Sequence, residues 1–150
     1  MMRQTGRKSE VGEGQIPLVN YGLAQRLKKL GFNVPCWWWY YKNSGINDNV
    51  GELFDDRCCA DHNGDGFDAC GGEKVSAPTV ALVLKWLRDV KGCLCGVCYS
   101  ATKKDVKRNW FYSVVNNGDE KWAEGFSSYE EAESALTETL VVILEKGGVK

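Results

Sequence analysis

The residues best typed for chemistry stand together in one run, DHNGDGFDAC, residues 61–70. Asp61, Asn63 and Asp65 place oxygen donors at alternate positions, and Gly66 follows. That order matches the first, third, fifth and sixth positions of an EF-hand loop, which wraps Ca in side-chain oxygens and turns sharply at its glycine. The match then stops. The eighth position, apolar in such loops, is Asp68, and the twelfth, where a bidentate Glu belongs, is Gly72. The flanks do not read as a helix pair. Asp-Gly and Asn-Gly are also what tight turns use. The run predicts a weak Ca site at Asp61, Asn63, Asp65 and Asp68, or a set of turns.

Seven cysteines invite a Zn reading. Cys93, Cys95 and Cys98, with Cys58, Cys59, Cys70 and His62, supply enough ligands for a tetrahedral site. Yet C-x-C-x-x-C has no second knuckle at the usual spacing. In a strand, Cys93 and Cys95 face one way and Cys98 the other, which opposes a shared metal. Cysteine as a small buried apolar residue accounts for the same pattern. A cysteine-dependent enzyme would need His62 as its base, since it is the single histidine. No thiol has an obvious partner there. The expectation is therefore no required cofactor and no catalytic residue, with Ca or Zn as the alternative.

The third candidate is aromatic. CWWWYYK, Cys36 to Lys42, is rich in strand-forming residues. Strand alternation puts Trp37, Trp39 and Tyr41 on one face, Trp38 and Tyr40 on the other. An open row of Trp37, Trp39 and Tyr41 would be a stacking surface for a partner. Two-sided packing with cross-strand aromatic pairs is the plainer outcome.

The elements that must position these groups are legible from periodicity. Residues 1–15 are polar and aperiodic, and are predicted as a flexible tail. A first helix runs from an Asn20 cap, with Val19 stapled onto Ala24, through Leu23, Leu27 and Leu30 to Gly31. The aromatic strand follows, then a strand within Val50–Arg57, the loop 58–72, and a possible short strand at Glu73–Val75. The central helix is SAPTVALVLKWLRDVKG, Ser76 to Gly92. Ser76 is its predicted cap, with a start nearer Thr79 equally allowed, and Pro78 falls in the first turn. Its apolar positions, from Val80 to Val90, cover an arc of roughly 200°. Next come CLCGVCYS, a polar connection, NWFYSVVN, an Asn117-Gly118-Asp119 turn, and a strand over Lys121–Phe126. Ser128 and Glu131 form a capping box for the last helix, whose stripe is Tyr129, Ala132, Leu136, Leu140 and Ile143. The fold class is α+β, in the order α-β-β-α-β-β-β-α. One mostly antiparallel sheet with helices on one face, a single domain over 16–150, is the expected architecture.

Composition narrows the function classes. The chain has 150 residues, 43% hydrophobic and 26% charged, with a formal net charge of −1. These values suit a folded domain rather than a disordered one. Without a basic excess, no nucleic-acid partner is expected. No apolar run is long enough to span a bilayer, and no signal-peptide core stands near Met1, so no membrane association is expected.

Several stretches look familiar as a set: LVNYGLAQRLKKLGFNVPC, SAPTVALVLKWLRDVKG, and WFYSVV through GFSSYEEAESAL. They resemble a family of small uncharacterised bacteriophage and prophage proteins. Its pattern is L-K-x-L-G-F, P-C before an aromatic strand, A-P-T with K-W-L-R, and Y-E-E-A. The resemblance covers about residues 17–146 and transfers no catalytic motif. It implies a phage setting, in the host cytoplasm or on the virion. The loop 58–72 is no part of that pattern. Together these observations predict a non-enzymatic module that binds an unidentified protein partner, through the aromatic strand or the 58–72 loop. A self-paired edge strand would make a homodimer.

Overall fold

The structure is a computed structural model, and it describes residues 7–8, 17–42, 52–60, 63, 73–101 and 109–148. The α+β class is as expected. The chain groups into two compact units, Met1–Thr79 and Val80–Lys150, where one domain over 16–150 is predicted. The expected single sheet is two antiparallel sheets, one in each unit.

In the first unit, helix α1 spans Tyr21–Lys29. The strands are β1 (Arg7–Lys8), β2 (Cys36–Lys42), β3 (Glu52–Ala60) and β4 (Glu73–Ser76), ordered β1-β3-β2-β4. The stretch predicted as a tail thus contributes a strand, paired through Arg7 with Asp55 and Lys8 with Phe54. The Asn20 side chain caps α1 by accepting the Leu23 N–H at 2.9 Å. At the other end Gly31 takes φ 85°, and Phe32 N–H returns to the Leu27 carbonyl at 3.0 Å. That is a Schellman close, and it needs a residue without a Cβ penalty. The α1 stripe is buried as predicted at Leu23, Ala24 and Leu27. Lys28 Nζ ties the helix to β4, reaching Glu73 at 2.7 Å and the Lys74 carbonyl at 2.9 Å.

The second unit holds α2 (Val80–Asp89), β5 (Leu94–Tyr99), β6 (Trp110–Asn116), β7 (Asp119–Phe126) and α3 (Tyr129–Glu145). The predicted cap at Ser76 is not used. Ser76 ends β4, because an extended backbone there pairs with Trp39 of β2, and the helix opens after Thr79. Gly92 terminates it with φ 69°. The sheet order is β5-β6-β7. Asn116 pairs with Asp119 across Asn117 and Gly118, both at positive φ, the geometry of a tight primed hairpin turn. β7 consequently starts at Asp119, two residues earlier than predicted. Ser128 caps α3 by accepting the Glu131 N–H at 3.1 Å. The return bond of the capping box lands one residue upstream, where Ser127 N–H donates to Glu131 Oε2 at 2.7 Å. α3 lies across one face of the sheet and against α2, burying Ala132, Leu136, Leu140 and Val141. Tyr129, placed in its stripe by spacing, is exposed.

Candidate functional site

In an antiparallel ladder, directly paired residues share a face. β6 is the middle strand, so its alternation sorts the whole sheet of the second unit. Tyr112 and Val114 point under α3 and are buried. Phe111, Ser113 and Val115 point away. Their partners build a grid of three rows on that second face: Leu94–Val115–Glu120, Gly96–Ser113–Trp122, and Cys98–Phe111–Glu124. None of these nine residues is buried. Leu94 is 67% exposed and Trp122 is 64% exposed.

The rows differ in height. Gly96 and Ser113 are small, and they floor a trough between the outer rows. Leu94 and Val115 wall one side, Cys98 and Phe111 the other, with about 13 Å between the outer rows at strand rise. Trp122 closes the trough at β7, between the exposed carboxylates of Glu120 and Glu124. A ring flanked by two anions on one edge strand attracts a cation through the ring face and through charge together.

A second concavity lies on the α3 side of the same sheet. It is an open, mostly apolar groove of about 630 Å³, bounded by Tyr112, Asn116, Lys121, Val142, Ile143 and Gly148 among others. Tyr112 and Thr139 bridge its wall through their hydroxyls at 2.8 Å. Lys121, Lys146 and Glu138 border it with mixed charge. Among the described residues, no polar atom lining it is buried without a hydrogen-bond partner.

The cysteines at and just before β5 divide as alternation predicts. Burial pushes the Cys93 thiol up to about 11, the neighbouring Cys95 adds to this, and Lys91 opposes it. Cys95 is also raised by burial, against Arg88. A thiol held protonated is a poor nucleophile and a poor metal ligand. Cys98 sits on the opposite, open face. Cys36 is buried and donates to the Trp38 carbonyl at 3.2 Å. Among the described residues, no three of His, Cys, Asp and Glu gather as a metal site.

Of the predicted Ca ligands, Asp61, Asp65 and Asp68 lie outside the described residues, as do His62 and Cys70. Asn63 is described, and it holds backbone together. Its Nδ2 donates to the Phe32 carbonyl at 2.8 Å, and its Oδ1 accepts the Ser76 N–H at 2.9 Å. It thereby joins the chain after α1 to the end of β4. The spacing of acidic residues around it gives no hint of that role.

The aromatic residues of β2 are brought together mostly as packing. Trp39 is 4% exposed. It stacks on Phe54 with ring centroids 4.9 Å apart, and Tyr41 meets both rings edge-on at 6.1 and 6.3 Å. Lys74 Nζ lies 4.9 Å from the Trp39 ring centre. Tyr40 donates to the Val19 carbonyl at 2.7 Å and meets Tyr21 edge-on. Trp37 is 49% exposed and stands at a break in register between Cys36 and Trp38. Trp37, Trp39 and Tyr41 therefore form no continuous open row. The open aromatic of the described residues with the clearest surroundings is Trp122, which periodicity alone did not single out. Its signal was present: acidic residues two positions either side mark the Trp122 face as solvent-facing.

None of the described helices is long and apolar enough to cross a membrane. Comparison of the chain with protein-family models, with curated proteins and with solved structures finds no match.

Proposed function

We propose that the chain is a non-enzymatic protein-binding module, and that it binds through the trough on the open face of the β5-β6-β7 sheet. The partner is an extended protein segment carrying an apolar side chain and a Lys or Arg. One observation carries this reading: a nine-residue sheet face in which Leu94 and Trp122 are about two-thirds exposed and no residue is fully buried. Contiguous apolar area of this kind is uncommon on a solitary protein and marks contact surfaces. Charge complementarity selects the partner. The apolar row ends meet an apolar side chain, and Glu120 beside Trp122 meets a cation. Raised thiols at the buried Cys93 and the half-buried Cys95 favour structure over catalysis for these cysteines. The resemblance to phage proteins would place the encounter in a host cell or on a virion.

Selection from a random-peptide library on the immobilised full chain tests the proposal. The enriched peptides should pair an apolar residue with Lys or Arg. Trp122→Ala should weaken them at least ~10-fold, as truncation of an aromatic anchor does. Replacing Glu120 and Glu124 by Gln should reduce affinity most at low salt, where surface charges are least screened. No enrichment, enrichment of acidic peptides, or affinity unchanged by Trp122→Ala would each overturn it.

A further inference from the structure

The two sheets have four edges, β1, β4, β5 and β7. Three of them carry charge: Arg7 and Lys8 on β1, Glu73 and Lys74 on β4, and Asp119, Glu120, Lys121 and Glu124 on β7. The fourth, LCGVCY of β5, carries none, and no proline. Charge, proline, bulges and brevity are the means by which edge strands avoid pairing with another chain. β7 uses two of these, since its pairing with β6 shifts register between Trp110 and Phe111. β5 uses neither. All six of its residues pair with β6 in unbroken register, from Leu94 with Val115 to Tyr99 with Trp110. Its outward backbone groups have no pairing strand among the described residues.

We propose that two copies of this chain associate by antiparallel pairing of β5 with β5, joining their sheets into one of six strands. The inference stands on the edge and not on the trough reading. Charge selects a second copy as the occupant. Across a two-fold axis residue i meets residue j and j meets i, so a charge anywhere on β5 would share one short ladder with its own copy and oppose pairing. β5 offers none. The charged β7 edges then fall at the two ends of the joined sheet, five strand spacings or about 24 Å apart, beyond the ~8 Å screening length at physiological salt. Joining at β7 would instead bring together two strands that each carry three carboxylates and a single lysine. The two-fold axis also keeps both open faces on one side. The Gly96–Ser113–Trp122 rows of the two copies then lie on the same surface.

Molar mass by sedimentation, measured over a range of concentration on the full chain, tests this. The parent chain should reach twice the monomer mass. Gly96→Lys should return it to the monomer mass. A Cβ at Gly96 meets no atom within 4 Å, so the fold has room for the lysine. Trp122→Ala, on the far edge, should leave the doubled mass unchanged. In the unsubstituted chain, amide exchange in β5 should slow as concentration rises while β7 does not change. A monomer at every concentration would overturn the proposal. So would a dimer that survives Gly96→Lys, a dimer lost with Trp122→Ala, or β5 amides indifferent to concentration. Gly96 also floors the trough, so peptide binding is read on Trp122→Ala alone: peptides lost with the dimer kept separates this inference from the trough reading.

Discussion

The two sheets make opposite use of their aromatic residues. β2 carries five consecutive aromatics and closes most of them in, with Trp39 stacked on Phe54 and ringed by Tyr41 and Lys74. The β5-β6-β7 sheet leaves Trp122 open between two carboxylates. The difference is one of position in the sheet. β2 lies between β3 and β4, so its side chains have neighbours on both flanks. β7 is an edge, and Trp122 projects from the face that α3 does not cover. A central strand converts aromatic area into stability, whereas an edge strand on an uncovered face leaves that area for a partner.

Truncation should separate the two sharply. Trp39→Ala should cost about 3–5 kcal/mol, as deletion of a buried Trp does, measured by chemical denaturation. Equal stability of Trp39→Ala and the parent would erase the distinction between the sheets. Asn63→Ala comes next. It strands the Ser76 N–H and the Phe32 carbonyl, at a cost of about 1–3 kcal/mol for buried groups left without partners. If stability instead holds and only a cation-dependent melting shift disappears, Asn63 is a ligand and not a clamp.

The thiols at and just before β5 repeat the comparison over a few residues. Near neutral pH a thiol reagent should label Cys98, on the open face, well ahead of Cys93 and Cys95. Burial lifts Cys93 from its usual 9.0 to about 11 in the fold. The folded state thus favours the protonated thiol. That contribution is whole below pH 9.0 and is lost as pH rises through about 11. Tyr40, raised by burial, adds to the same alkaline loss. Denaturation midpoints should fall over that range, and fall less steeply in Cys93→Ala. A flat profile would remove the burial assigned to Cys93. The smallest effect is the most telling: Trp122→Ala should leave stability within about 0.5 kcal/mol of the parent, while weakening the trough's hold on peptides at least ~10-fold.

Local rules made much of this fold legible. β2 has the bounds that its aromatic run predicts, and the Asn20 and Ser128 caps form the expected bonds. Gly31 and Gly92 end their helices as the sequence suggests. These features depend on neighbours a few residues away, so spacing suffices. Ser76 shows where that stops. As a helix cap it satisfies every local rule, yet pairing with β2 outweighs a single capping bond. Residues 58–72 drew attention by composition, but the role of Asn63 depends on Phe32 and Ser76, which are distant in sequence.

By itself, then, the sequence determined the α+β class, the run of helices and strands, most of their ends, and the alternation that sends Cys93 and Cys95 one way and Cys98 the other. The tertiary structure decided that the strands divide into two sheets, that Trp39 is interior and Trp122 is not, and that β5 is an edge. Alternation says which residues share a face. Only the pairing of strands and the placement of α3 say which face is covered, because burial belongs to contacts between elements and not to any one of them.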